Sequence, residues 1–393
     1  MTTAQVITSA SPNVTRVGVI GGGQLAWMMA IASAKLGVSL VVQTPHDTDP
    51  AVEIASDKIL ASINDVAATQ ELANRCDVIT FENEFVDLEG LGKLAEKGII
   101  FRPDLSVLAP LLDKYDQRVY LQKLGLPTPD FWELPKDNID LSQLIFPRVL
   151  KARRHGYDGQ GTFIIKDYVT LESILAKFGK NSLLLEEFVP FERELAAIAC
   201  RSVSGEVVIY PIVETQQENQ VCRRVIAPAD ISPDIKKEID AIVCTLLNSL
   251  KAVGVFGIEL FLTKEGKVLV NEIAPRTHNS GHFTIEACQT SQFEQHLRAV
   301  SQIPLGNPDL ICGGAVMVNL LGYESATCDY QEKLDKIAQI SGAHVHWYGK
   351  RESRVGRKLG HVTVIRNPQT LTDKRKELLA IAREIETIWY GEK

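Results

Sequence analysis

The chain has 393 residues, 45% hydrophobic, 23% charged and 7% aromatic, proportions that suit a folded globular protein and exclude a disordered or fibrous one. At roughly 100–200 residues per domain this length predicts two to four domains, each able to bury its own core without disulfides. With 42 basic against 49 acidic side chains the net charge is −7, which argues against a nucleic-acid binder and makes any basic site a local one.

After a polar N-terminal tail, Val17–Ile20 reads as a buried strand, Gln24–Leu36 as a helix closed by Gly37, and Val38–Gln43 as a second strand, one β-α-β unit. A helix near 65–75, the strand Val78–Phe81, a helix near 88–96 and the strand Ile99–Phe101 repeat the alternation. That pattern predicts a parallel sheet covered on both faces and a first domain ending near 112. Lys114–Leu124 reads as a linking helix stopped by Gly125, and Leu126-Pro127-Thr128-Pro129 cannot continue it. Short β-rich runs follow: Arg148–Lys151, Thr162–Ile165, Leu183–Glu187, Glu194–Arg201, Val207–Val213 and Val221–Ile226. Among them one helix, from about 234 to 252, carries the apolar stripe Ile235, Ile239, Ile242, Val243, Leu246 and Leu250. A third segment opens at Gly313-Gly314 and the strand Ala315–Leu321, passes through His344–Tyr348 and ends in a Lys/Glu-rich helix from about 370 to 388. The expected fold class is α/β followed by α+β, in domains 1–112, 113–308 and 309–393, the last small and β-rich.

The run Gly21-Gly22-Gly23-Gln24-Leu25-Ala26 follows a strand and opens a helix, as a dinucleotide fingerprint does. An NAD site also wants an acidic residue at the end of the second strand, where this chain has Gln43-Thr44-Pro45. What remains is a helix N-terminus suited to an anion or polar ligand, or glycines that serve only strand-to-helix packing. Downstream, a strand carrying Lys151 runs into Gly156, Gly159 and Gly161. Such a loop can fold its N–H groups over a polyphosphate while the lysine supplies a point charge, although a solvated hairpin would share the pattern. It is no Walker A, since no G-K-[ST] follows.

Gly257–Arg276 is the most informative stretch. A two-residue turn at Glu265-Gly266 would place Glu259 opposite Glu272. Like charges facing across a ladder within apolar runs call for a cation between them, and Mg²⁺ prefers one or two protein carboxylates with water and phosphate completing its shell. A shifted register would instead send the two glutamates to opposite faces. The polar cluster Arg276-Thr277-His278-Asn279-Ser280-Gly281-His282 that follows suits a substrate loop. The basic group Lys350, Arg351, Arg354, Arg357 and Lys358 fits either a substrate phosphate or a solvated face.

The 7 cysteines are scattered without a C-x-x-C pair, so neither a disulfide framework nor a zinc site is expected and a reducing cytosol fits. The 8 histidines show no H-E-x-x-H spacing. The first residues lack signal-peptide character, and no apolar run approaches the ~20 residues of a membrane helix. The expectation is a cytoplasmic protein with neither membrane nor nucleic acid as partner.

Strand lysine, Gly-rich lid, the hinge Glu186-Glu187-Phe188-Val189, Glu194 and the Glu259/Glu272 pair together resemble the ATP-grasp superfamily. More specifically, VGVIGGGQLA, GYDGQGT, NEIAPRTHNSGH and GRKLGH are similar to the N5-carboxyaminoimidazole ribonucleotide synthetase family, over essentially the whole chain past residue 15. The resemblance implies a Rossmann-like N-terminal domain, a central ATP-grasp domain, a small C-terminal domain and a homodimer. It implies ATP- and bicarbonate-dependent carboxylation of 5-aminoimidazole ribonucleotide through carboxyphosphate, with ADP and phosphate released, in de novo purine synthesis.

By the same resemblance Lys114, Lys151, Gly156, Tyr157, Asp158, Gly159, Gln160, Gly161 and Thr162 would hold the ATP phosphates. Glu186, Glu187, Phe188 and Val189 would meet adenine, Glu194 the ribose hydroxyls, and Gln217 would lie near the nucleotide. Glu259 and Glu272 would bind Mg²⁺, with Asn271 alongside. The ribonucleotide would lie between Gly23, Gln24 and Leu25, Glu82 and Glu84, the loop Arg276–Asn279, and a phosphate site including Lys350, Arg357 and Lys358. Tyr157, Asp158, Arg276, His278, Asn279 and Lys358 would surround the reacting centre, with Asp158 orienting or deprotonating the amine. Two departures stand out: Gln160 where many relatives carry Lys or Arg, and Ala274 where many ATP-grasp proteins carry Asn. Rival readings are a formate-dependent glycinamide ribonucleotide transformylase, a regulatory subunit without turnover and, least supported, an NAD oxidoreductase.

Overall fold

After Arg16 the first strand has no polar side chain, and such a strand needs cover on both faces. The computed structural model describes residues 14–134, 144–154, 156, 161–179, 182–367 and 373–391. It sets this strand inside a parallel sheet ordered Asp57–Leu60, Ser39–Thr44, Arg16–Ile20, Val78–Phe81. Helix Gln24–Ser33 runs on through a 3₁₀ turn to Gly37, whose φ of 65° ends it. Helices Val66–Arg75 and Leu88–Ala95 start at Asp65 and Asp87, whose carboxylates accept the N–H groups of Ala68 and Gly90. The strand Asp57–Leu60 was not legible because it is an edge strand that buries only Ile59. The strand expected at Ile99–Phe101 shrinks to one bridge, Ile79 to Phe101, since Pro103 just beyond has no N–H to extend a ladder.

A second sheet, ordered Phe131–Glu133, Leu183–Glu187, Arg148–Ala152, Thr162–Ile165, is backed by helix Tyr168–Phe178. The third runs Val268–Ala274, Gly254–Thr263, Phe191–Arg201, Val213–Glu218, Val221–Ala227, Gly314–Leu321, Lys358–Arg366, Ala343–Trp347, with Val207–Ile209 also on Phe191–Arg201. The run expected as one strand from Val207 to Val213 breaks at Pro211, which cannot donate to a ladder. Helix Pro233–Leu250 begins with Ser232 accepting the Ile235 N–H and with proline in its first turn. Its stripe of Ile239, Ile242, Val243, Leu246 and Leu250 packs on the sheet face of Leu195, Phe256 and Val270, each side chain contributing about 1.5–3 kcal/mol by leaving water. On the far side, Leu378, Ala382, Ile385 and Trp389 of helix Lys374–Tyr390 join the core of the Gly314–Leu321 strand.

Sheets one and three are tied together by His296, fully buried. Its Nδ1 accepts the Val255 N–H at 3.1 Å, which leaves the proton on Nε2 to face Thr80 Oγ1 at 2.8 Å. Burial holds this imidazole down at about 4 and pushes His282 and His361 well below the usual histidine range. All three stay neutral while the unfolded chain binds protons. Their contribution to stability is therefore full above pH ~6.5 and falls as pH drops toward 4, by about 3 kcal/mol for His296 alone. Between pH 7 and pH 5 the stability of His296→Gln, read as a urea midpoint, should fall by less than that of the unmodified chain, since the variant lacks this group's proton linkage while Glu194 and Glu259, whose carboxyls are pushed up, act in the opposite direction in both; equal changes in the two would contradict this reading.

Candidate functional site

The Gly254–Thr263 and Val268–Ala274 strands form a hairpin whose turn differs from the expected one. Three residues, Lys264-Glu265-Gly266, make the loop, with the Thr263 N–H on the Lys267 carbonyl at 2.9 Å and Gly266 at φ 81°. That loop alone would put Glu272 opposite Ile258. A bulge between Val270 and Glu272 absorbs Asn271 and restores the pair Glu259–Glu272. Its consequence is chemical: Val268, Val270 and Ile273 stay in the core, while the consecutive side chains of Asn271 and Glu272 both line the cleft. Val268–Ala274 is an edge strand, and helix Lys114–Lys123 covers its outward backbone groups. Gln117 Oε1 accepts the Ile273 N–H at 2.9 Å, its Nε2 donates to the Ile273 carbonyl at 3.2 Å, and Arg118 donates to the Val270 carbonyl at 3.1 Å.

Cations converge on this hairpin. Lys114 Nζ lies 2.5 Å from Glu272 Oε1. Lys151 Nζ lies 2.7 Å from Glu186 Oε2 and donates to Asn271 Oδ1 at 2.9 Å, and Asn271 Nδ2 donates to Glu259 Oε2 at 3.3 Å. Behind Glu186, Arg118 Nε closes to 2.6 Å of Oε1. Burial would raise Glu186, but Arg118 and Lys151 outweigh it and hold the carboxyl at about 2. Desolvation in the cleft and the facing Glu272 push Glu259 up to about 7, whereas Lys114 overcomes burial at Glu272 and draws it below the usual range. Glu194 is likewise pushed up to about 7 by burial and by Glu259. Two facing carboxylates short of positive charge suit a hard divalent cation. Among the described residues no set of three His, Cys, Asp or Glu side chains gathers as a metal site, so an ion there would draw its other ligands from water and phosphate oxygens.

At the other end of the cleft the glycine run has its own anion. The Gly23 and Leu25 N–H groups donate to the Glu82 carboxylate at 3.0 and 3.3 Å, and a Cβ on Gly21 or Gly23 would lie 2.4 Å from its oxygens. The helix N-terminus thus holds a side chain of the same chain, where the sequence suggested an external ligand. Gln43, in the place of an acidic ribose anchor, is fully buried and tied to Ser62 O at 2.7 Å and the Thr69 hydroxyl at 2.8 Å. A dinucleotide has no anchor here.

Arg276 grips Glu84 with both ends of its guanidinium, the longer contact being 3.1 Å. His278 stands with Nδ1 2.8 Å from Ser280 Oγ and Nε2 3.6 Å from Glu259 Oε1, and Gly257 beneath it has no room for a Cβ, which would lie 2.5 Å from His278 Cβ. Asn279 and Asn319 exchange reciprocal amide hydrogen bonds of 2.9 and 2.7 Å. Gln24 Oε1 accepts from Lys350 Nζ at 2.8 Å.

One cleft of about 950 Å³ gathers most of the expected residues. It is lined by Gln24, Leu25, Glu82 and Glu84 from the first sheet's rim, and by Lys114, Lys151, Gly156, Thr162 and Glu186–Val189 from the linking helix and second sheet. Glu194, Gln217, Glu259, Asn271, Glu272, Arg276, His278, Asn279 and Lys358 complete it from the third. Gly23 contributes through its N–H, and Lys350 sits behind Gln24. Gly161 and Arg357 are not on the wall; Arg357 turns to donate to the Glu352 carbonyl at 2.7 Å. The Glu186 carboxylate, expected at adenine, is instead engaged by Arg118 and Lys151. Tyr157, Asp158, Gly159 and Gln160 lie outside the described residues.

Sequence reasoning missed Arg118, Gln117 and Asn319. For Asn319 a signal existed, a polar residue inside the apolar run Gly314–Leu321. Nothing in the spacing of Gln117 and Arg118 set them apart from a solvated helix face. The cleft wall also includes Glu214, which Arg375 of the C-terminal helix grips at 2.7 and 2.8 Å.

Residues 14–109 match the ribonucleotide synthetase preATP-grasp domain, 119–293 the ATP-grasp domain, and 315–375 the phosphoribosylaminoimidazole carboxylase C-terminal domain. The N5-carboxyaminoimidazole ribonucleotide synthase of Synechocystis sp. is 54% identical, over 96% of this chain and 98% of its own. Among solved structures, the N5-carboxyaminoimidazole ribonucleotide synthetase of Thermotoga maritima superposes with a TM-score of 0.84 at 39% identity, covering 95% of this chain and 98% of that one. The N5-carboxyaminoimidazole synthase of Aspergillus clavatus, in complex with ADP and 5-aminoimidazole ribonucleotide, does so with 0.85 at 30% identity, covering 95% and 99%. Three matching segments in this order, and identity above half along nearly the whole length of a relative, establish that the chain belongs to the N5-carboxyaminoimidazole ribonucleotide synthase family of ATP-grasp enzymes.

Proposed function

We propose that the chain joins a carboxyl group to the exocyclic amine of 5-aminoimidazole ribonucleotide at the expense of ATP, with bicarbonate as the carbon source, in de novo purine synthesis. A bicarbonate oxygen attacks the γ-phosphorus and ADP departs; the amine nitrogen then takes the carboxyl carbon of carboxyphosphate, inorganic phosphate leaves, and the amine loses a proton. The observation that carries this reading is the hairpin pair Glu259–Glu272, ringed by Lys114, Lys151 and Asn271, in the same cleft as Glu84–Arg276 and His278.

Lys114 and Lys151 would meet the phosphates, as phosphoryl transfer needs positioned charge more than covalent help. Glu259 and Glu272 would hold Mg²⁺ with Asn271 alongside; when bound, the ion would neutralise phosphate charge. Glu187, Phe188 and Val189 would meet the base through the hinge, Glu194 the ribose hydroxyls and Gln217 the nucleotide's flank. The lid Gly156–Thr162 would exclude water from carboxyphosphate, which hydrolyses readily. At the ribonucleotide, Glu82 and Gln24 would meet the sugar end, Lys350 and Lys358 its phosphate, and Arg276, His278 and Asn279 the transferred carboxyl, with Tyr157 and Asp158 beside the amine. The divisions 1–112, 113–308 and 309–393, a homodimer and a cytosolic location belong to the same reading, supported by the family resemblance. Among the described residues no helix is long and apolar enough to cross a membrane.

ADP release tests the proposal. It should require 5-aminoimidazole ribonucleotide and rise with bicarbonate but not with formate. ADP formation indifferent to bicarbonate, or stimulated by formate, would overturn it.

A further inference from the structure

Lys151 reaches the cleft from a strand, and its side chain is only 9% exposed, paired with a glutamate side chain 2% exposed. A lysine paired in this way has its field cancelled by its partner, which is a poor arrangement for attracting a triphosphate. The structure supplies the correction. Glu186 gives only Oε2 to Lys151; Oε1 belongs to Arg118, itself 2% exposed, at 2.6 Å. One carboxylate is shared by two cations, and the trio keeps one net positive charge. Arg118 also donates to the Val270 carbonyl at 3.1 Å, one residue before the bulge that presents Asn271, the other partner of Lys151.

We propose that Arg118 is a positioning residue for phosphate binding: it takes up the charge of Glu186 from behind, so that Lys151 keeps its positive charge for the triphosphate, and it pins the strand that offers Asn271. The inference rests on the reading of Lys151 as a phosphate ligand given above. The planar guanidinium suits the task because its fork reaches the carboxylate and the carbonyl together, which an ammonium on a flexible stem does less well. Neutralising Arg118 would leave Glu186 and Lys151 as a closed pair of zero net charge. Removing the Glu186 charge as well would release Lys151 again.

Steady-state kinetics of the full chain test this. Arg118→Met should raise KM for ATP about ten- to hundredfold, the range of one charge-assisted contact, with KM for 5-aminoimidazole ribonucleotide unchanged. Arg118→Lys should recover most of the loss. The double variant Arg118→Met/Glu186→Gln should bring KM for ATP back toward the starting value, which a purely structural role for Arg118 would not predict. Should Arg118→Met prove insoluble, the Lys variant and the double variant decide the matter, since both keep charge balance around Lys151. An unchanged KM for ATP in Arg118→Met, or a double variant with a KM for ATP raised about tenfold or more, overturns the proposal. Lys151→Met run alongside separates the causes. If it raises KM for ATP while Arg118→Met does not, only the role of Arg118 falls; if it leaves KM for ATP unchanged, the phosphate reading of Lys151 falls and takes this inference with it.

Discussion

Exchange of Glu272 for glutamine is expected to lower ATP-dependent turnover by about a hundred- to a thousandfold, the scale of losing one charged group that holds transition-state charge in place. The same exchange should cost the fold little, since Lys114 loses a partner 2.5 Å away but a facing like charge is relieved. Glu272 faces Glu259 across the ladder, and like charges in that position oppose pairing. With the second charge gone, Glu259 loses the neighbour that, after desolvation, does most to push it up, so it ionises more readily and Lys114 has another carboxylate to approach. Turnover measured beside the urea midpoint separates the two effects. An active Glu272→Gln enzyme would remove this hairpin from the chemistry, whereas an inactive enzyme with a collapsed midpoint would make Glu272 a structural residue.

Glu186→Gln carries the opposite signature. Glu186 is fully enclosed with Arg118 and Lys151 on its two oxygens, and without its charge two buried cations face each other across a neutral amide. Breaking a buried ion pair from one side costs about 3–5 kcal/mol, because the partner is left uncompensated. Lys151, already drawn down by burial, will give up its proton to relieve part of that cost. A large drop in urea midpoint is the expected reading, smaller at high pH where the lysine is neutral. A midpoint equal to that of the unmodified chain would mean that the trio adds nothing to stability. The low value near 2 at Glu186 has a matching consequence: its contribution is complete above pH ~4.5 and is lost as pH falls toward 2.

How far the site could be read ahead of the structure depended on whether a residue's role was local. The Glu259–Glu272 pairing was legible because a two-residue turn at Glu265-Gly266 leads to the same partners, yet the route to it was not: a longer turn and a bulge at Asn271 offset one another. Bulges depend on tertiary support, here the Gln117 amide on the Ile273 backbone, and no periodicity announces a helix that covers a sheet edge. The strand carrying Lys151 and the polar loop after Ala274 declared themselves by composition, and the hinge only through the family resemblance. Arg118 did not, because an arginine on a ten-residue helix looks the same whether it faces water or a buried carboxylate. The strand Asp57–Leu60 escaped for a related reason, an edge position that asks for one inward side chain only.

The occupant of the glycine turn bears on how such signatures are interpreted. Because Glu82 arrives from the end of a neighbouring strand and satisfies the Gly23 and Leu25 N–H groups, the loop is already ordered before any small molecule arrives. A motif shared with nicotinamide enzymes therefore reports a steric solution, room for negative oxygen close to main chain, and is silent on whether that oxygen is imported or home-grown.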